Sequence, residues 1–171
     1  MQPELIEALV LATQEGDKRA HAALYAEFHR PMARFALLRV KNAMVAEDLV
    51  QNVWLKISHR LDSLRDVSLF RSWLYRALRW EITDWARSQQ RLEFRDINEA
   101  ELNKTYPVEN YDIYKLLKQL TTDERDVVEL FYLNELSLTE TALALSIPEG
   151  TVKSRLARAR TKLKHLFEKS E

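Results

Sequence analysis

The sequence predicts an all-α protein of two small helical domains joined by a flexible linker, the second domain a helix-turn-helix. Three observations carry that prediction. Glycine occurs only at Gly16 and Gly150 in 171 residues, so the residue that tight β-hairpins use most is almost missing. Leu, Ala, Glu, Lys and Arg, all good helix formers, dominate the composition. Apolar residues recur at helical spacing in two stretches, separated by one polar segment where the periodicity fails.

Each element has its own start and stop signals. Pro3 suits a first turn and opens a helix to about Thr13. Asp17 is the N-cap of a second helix through Ala20, Leu24 and Phe28. Pro31 is expected to kink or interrupt that helix before it resumes through Phe35, Leu38 and Val40. Asn42 caps a third helix, with Val45, Leu49, Val53 and Ile57 spaced by four. Leu61 to Val67 breaks the pattern, and Ser68 is the expected N-cap of a long helix to about Arg87. Phe70, Leu74 and Ala77 lie on one face of it.

Residues 1–88 thus form the first domain, and the polar stretch 89–110, with Pro107, reads as the linker. The second domain is 111–171. It begins with a helix from Tyr111 to Leu120. Thr121 with Glu124, and Ser137 with Glu140, are S/T-x-x-E capping boxes that open helices of about 122–133 and 138–145. A last helix runs from about Glu149 to Phe167.

The segment from Leu138 to Arg155 has the spacing of a helix-turn-helix. Ala142 is small where two helices must cross, and Ile147 and Val152 plug the angle between them. In the second helix Val152, Leu156, Ala159 and Leu163 form an inward stripe, while Gly150, Ser154, Ala157, Arg158 and Thr161 face outward. Six cations lie between Lys153 and Lys164 with no acid among them. Small residues near the helix start let it enter a major groove, and long cations reach phosphates or guanine edges. Six neutralised phosphates would give a log–log salt slope of roughly −5. A basic helix that merely covers its own domain is the bland alternative, and Arg155 and Arg160, toward the inner flank, fit bracing as well as DNA contact.

Composition also excludes chemistry. Without cysteine there are no disulfides, thiolate nucleophiles or cysteine-based zinc sites. His21, His29, His59 and His165 form no i, i+3 or i, i+4 pair for a helical metal site. Gly150 to Ser154 lacks the spacing of a phosphate loop, and adjacent Glu47 and Asp48 are not a convergent acid–base pair. Neither catalysis nor a cofactor is expected. The first residues lack the blocks of a signal peptide, and charges interrupt every long apolar stretch, so a cytoplasmic protein without membrane insertion is expected.

More particular is the run Ala46-Glu47-Asp48-Leu49-Val50-Gln51-Asn52-Val53-Trp54, followed by Phe70-Arg71-Ser72-Trp73-Leu74-Tyr75-Arg76 and Asp84-Trp85-Ala86-Arg87. With Gly150-Thr151-Val152-Lys153-Ser154-Arg155-Leu156-Ala157-Arg158-Ala159-Arg160, these motifs closely resemble the extracytoplasmic-function group of bacterial sigma factors over nearly the whole chain. The resemblance implies an alternative sigma factor that binds core RNA polymerase and directs promoter-specific initiation. Glu47, Asp48 and Gln51 would meet the clamp helices of the β′ subunit. Arg71, Tyr75, Arg76, Arg79, Trp80 and Arg87 would hold the −10 element, with residues 61–67 as a specificity loop around a flipped base. Thr151, Lys153, Ser154, Arg155, Arg158 and Arg160 would read or hold the −35 element. Further implied partners are the β flap and an anti-sigma factor, and the linker would thread toward the polymerase cleft. Three positions depart from the family pattern: Trp80 stands where Asn is usual, Ser146 where Gly or Asn is usual, and Ala157 where a larger residue is frequent. A conventional helix-turn-helix regulator, dimeric and independent of polymerase, would need a dimerisation element or ligand pocket, and neither is evident.

Overall fold

A computed structural model describes residues 1–89 and 111–170, and every regular element among them is helical. The chain divides into two compact units, Met1–Pro107 and Val108–Glu171. The expected linker lies, apart from Gln89, outside the described residues.

In the first unit α1 (Pro3–Gln14), α2 (Lys18–Val40) and α3 (Ala43–Arg60) are followed by two 3₁₀ turns, Leu61–Ser63 and Val67–Leu69, and by α4 (Phe70–Gln89). Local chemistry sets the starts. Asp17 accepts from the backbone N–H of Arg19 and Ala20, and Asn42 accepts from Val45. Lys41 ends α2 in the left-handed region with φ 54°.

α2 is the central element, packed on α1, α3 and α4. It buries Leu24, Phe28, Met32 and Phe35 against Val50, Val53 and Ile57 of α3 and Phe70, Leu74 and Leu78 of α4. The Phe28–Phe70 and Phe35–Tyr75 ring pairs meet edge to face at 5.7 Å each. Such contacts add roughly 0.5–1.5 kcal/mol beyond the area they bury.

Two expectations change here. Pro31 does not interrupt α2, which is one helix of 23 residues. Phe28, Met32, Phe35 and Ala36 on either side of it are buried in one core, and that burial outweighs the single backbone bond Pro31 cannot donate. Nor does Ser68 cap α4. Asp66 is the capping residue: its carboxylate accepts from the backbone N–H and hydroxyl of Ser68, starting a 3₁₀ turn that runs into α4. The Gln14 side chain donates to the carbonyls of Leu61 and Leu64 at 2.8 Å each. Those bonds satisfy half-buried carbonyls in the α3–α4 connection and fix its path against α1.

The second unit contains α5 (Tyr111–Leu117), α6 (Thr122–Val128), a π turn (Glu129–Leu133), α7 (Leu138–Leu145) and α8 (Glu149–Ser170). Both capping boxes form with their reciprocal bonds. The helix expected over 122–133 therefore ends in a wider turn, closed by Asn134, whose backbone N–H and side-chain amide both donate to the carbonyl of Glu129 at 2.9 Å.

Candidate nucleic-acid interface

α7 and α8 meet through a tight corner. Ser146 takes φ 55°, ψ 43°, the left-handed conformation that a helix stop requires, and Ile147 donates from its backbone N–H to the Ala142 carbonyl at 3.0 Å. The hydroxymethyl group at Ser146 costs about 1 kcal/mol of backbone strain relative to a residue at ease there. Ala142, Val152, Leu156 and Ala159 are buried, so α8 packs by its small and branched stripe. Gly150, Ser154, Ala157, Arg158 and Thr161 are exposed on its opposite side, with Thr151 half-buried at the edge.

The cations of α8 divide into two sets. On the flank toward α6, Arg155 pairs with Asp123 at 3.3 Å, and the Lys162 ammonium donates to both carboxylate oxygens of Glu124 at 2.9 Å. Glu124 is 4% exposed. The bond from Lys162 holds its carboxyl below the ordinary carboxylate range, helped by the Thr121 backbone N–H and opposed by burial. Lys153 and Arg160 on the other flank, and Arg158 on the outward side, are exposed, with no ion pair to any described residue. Lys164 is also exposed, 3.9 Å from Glu168. Arg155 thus braces the fold, and so does Lys162, which the six-cation count had placed with the DNA-facing set.

On α4, Arg76, Trp80, Thr83 and Arg87 are exposed and fall on one ridge, since spacings of four, three and four residues return to the same side. Arg71 and Arg79 are half-buried and engaged within the protein. Tyr75 must be withdrawn from the DNA-facing set. It is 1% exposed, with its ring edge against Phe35, so it cannot offer a face to a base while the core is intact. Lys56 of α3 was not foreseen. Its ammonium pairs with Glu81 and lies 4.7 Å from the centroid of the Trp80 ring.

On α3, Asp48 and Gln51 are exposed as expected, and Glu47 is partly covered, bonded to the Nε2 of His29 at 2.9 Å. Tyr25 stacks on His29 at 4.6 Å between centroids. Met44 and Leu55, 79% and 62% exposed, continue the ridge of Asp48 and Gln51 at both ends. The face is therefore apolar at its tips and polar in the middle.

Residues 24–92 match the family described as Sigma-70 region 2, and residues 111–163 match Sigma-70, region 4. The RNA polymerase sigma factor NccH of Alcaligenes xylosoxydans xylosoxydans is 30% identical over 182 residues, covering 99% of this chain and 98% of that one. The ECF RNA polymerase sigma factor SigM of Mycobacterium tuberculosis is 30% identical over 167 residues, covering 93% and 83%. The chain belongs to the extracytoplasmic-function RNA polymerase sigma factors. Among solved structures, this sigma factor is similar to CnrH in complex with the cytosolic domain of CnrY, with a TM-score of 0.73, 26% identity, and coverage of 98% of this chain and 99% of that one. It is also similar to the sigma factor RpoE in complex with the anti-sigma factor NepR from Bartonella quintana, at a TM-score of 0.63, 28% identity, and coverage of 80% and 89%. Among the described residues, no helix of this sigma factor is long and apolar enough to cross a membrane.

Proposed function

We propose that this sigma factor divides promoter recognition between its two units, with residues 1–88 binding core polymerase and opening the −10 element, residues 111–171 reading the −35 element, and 89–110 linking them. The reading rests most on the outward face of α8, where small residues and Lys153, Arg158 and Arg160 are exposed without an acid between them. Ser154 and Arg158 reach base edges; Thr151, Lys153 and Arg160 hold phosphates; Arg155 keeps the helix seated through Asp123.

On the first unit, Arg76, Trp80 and Arg87 meet the melted −10 strand directly, while Arg71 and Arg79 support that surface. Asp48 and Gln51, with Glu47 beside them, dock on the β′ clamp helices, and the second unit contacts the β flap. The polymerase does the chemistry, and this chain contributes recognition alone, in the cytoplasm. A repressing anti-sigma factor covers these faces until a signal releases them, in keeping with the complex that the similar sigma factor RpoE forms with the anti-sigma factor NepR.

Pull-down of core polymerase, combined with footprinting of promoter DNA, tests the division of labour. Asp48→Arg should lose polymerase retention. Arg158→Ala should keep retention and lose protection at the upstream element. If Arg158→Ala protected that element as well as the unaltered chain, α8 would not be its reader.

A further inference from the structure

We propose that His29 is a positioning residue of the polymerase-docking surface: its imidazole orients the Glu47 carboxylate at the edge of that surface, and its protonation cancels the charge that Glu47 offers a cationic partner. The proposal rests on the reading of α3 as the docking helix, and it adds to that helix a residue of α2 and a sensitivity to pH.

The ring is held from three directions. Its Nε2 lies 2.9 Å from Oε2 of Glu47, and because an ionised carboxylate accepts without donating, Nε2 carries the proton of that bond. In the neutral ring Nδ1 is then the lone pair; it is buried and has no hydrogen-bond partner among the described residues. Tyr25 stacks on the imidazole at 4.6 Å and packs on Trp54 at 5.2 Å. His21 meets the same Trp54 ring edge-on at 6.1 Å and bonds Ser58 at 3.0 Å. His21, Tyr25 and His29 recur every four residues along one side of α2, so the seam with α3 is a row of rings that fixes the His29 rotamer.

Glu47 is the charged group that this ring meets. Among the described residues, Glu47 of α3 and Tyr25 of α2 are the titratable groups in contact with it. Asp48 on α3 and Arg30 on α2 are exposed beside the pair. Of the other helices packed on α2, α1 follows Met1, whose amino group pairs with Glu27, and α4 carries Glu81, which pairs with Lys56.

Charge sets the consequence. Glu47 and Asp48 give the docking face two adjacent negative charges, which suit a cationic partner surface. With His29 neutral, Glu47 keeps its charge while one of its oxygens is held in place. A second proton enters at Nδ1, so the bond from Nε2 survives as an ion pair and the pair carries no net charge. Acid thus weakens the attraction for the partner without moving the carboxylate.

The test measures the affinity of the full chain for immobilised core polymerase between about pH 8 and pH 6, the range in which histidine changes charge. Over that range the unaltered chain should lose about threefold more affinity than His29→Gln, whose amide keeps a donor near Nε2 and takes up no proton. Glu47→Gln should be about threefold weaker than the unaltered chain at the upper pH and share the flatter profile, and adding His29→Gln to it should change nothing. His29→Leu, without a donor, should bind more weakly than His29→Gln at the upper pH, with circular dichroism confirming that each variant is folded. Equal pH profiles for the unaltered chain and folded His29→Gln would overturn the proposal. Asp48→Arg separates the two readings: if it bound core polymerase as tightly as the unaltered chain, the docking reading would fall by itself. Nitrogen NMR of the imidazole in the free chain would then decide the positioning of Glu47. Nε2 as the protonated nitrogen, with that preference lost in Glu47→Gln, is expected; a proton on Nδ1 instead would overturn it.

Discussion

If α8 holds duplex DNA as proposed, salt titration counts the phosphates it neutralises, because the counterions released at each contribute roughly −0.9 to the log–log slope of duplex affinity. Sequence alone offers six cations between Lys153 and Lys164, hence roughly −5. The structure removes two of them. Arg155 is held by Asp123, and Lys162 by both oxygens of a buried Glu124. Lys153, Arg158, Arg160 and Lys164 remain exposed, so α8 should contribute a slope of about −3.6. The variants separate the sets. Arg158→Ala or Lys153→Ala should each flatten the slope by about 0.9. Lys162→Met should leave it unchanged and instead lower stability by about 1 kcal/mol, a modest figure because the lysine is half exposed to screening solvent. The assay is fluorescence anisotropy of a labelled duplex carrying the −35 element, across a KCl series, with folding checked by circular dichroism. If Lys162→Met flattened the slope as much as Arg158→Ala, the division of the helix into a bracing and a DNA-facing flank would be wrong.

Three further outcomes follow from the same contacts. The Glu124 carboxyl titrates below its ordinary value of 4.5, so its stabilising contribution is complete above that pH and disappears as pH falls through the lower folded-state value. Chemical denaturation should accordingly show the unaltered chain and Lys162→Met differing at about pH 7 and converging in acid; a constant difference would contradict the pairing. Ser146→Gly should stabilise the second unit by about 0.5 kcal/mol, because relief of left-handed strain exceeds the extra freedom of glycine in the unfolded chain, and thermal melting should rise by roughly 2–4 °C. On α3, Leu55→Ala and Asp48→Ala should each weaken core-polymerase binding by at least about fivefold, as anchoring contacts do, with Glu47→Gln costing less because His29 already holds that carboxylate; biolayer interferometry with immobilised core enzyme would rank them.

What the sequence discloses here is mostly local. Asp17, Asn42, Thr121 and Ser137 cap the helices they were expected to cap, since a cap depends on neighbours within three residues. The positive φ at Ser146 was legible for the same reason: a helix that stops and turns within a few residues needs a left-handed position. Tertiary contacts were not legible. The spacing of Tyr75 beside Arg76 looks like an interleaved aromatic and cation, yet the ring is drawn into the core by Phe35, 40 positions earlier in the chain. Pro31 reads as a helix breaker until both of its flanks are seen buried in one core. Lys162 and Lys153 are indistinguishable in sequence; only the approach of α6 to one flank of α8 separates them. His29 behind Glu47, and Lys56 over Trp80, likewise join helices whose contact no local pattern records.

The most direct test of promoter-directed initiation is run-off transcription with purified core polymerase, this chain and a promoter library. Transcripts that begin downstream of one shared pair of motifs, and vanish when the chain is omitted or carries Asp48→Arg, are the expected result. Binding of the folded chain to core polymerase without any transcript, beside a control sigma factor that works, would contradict it.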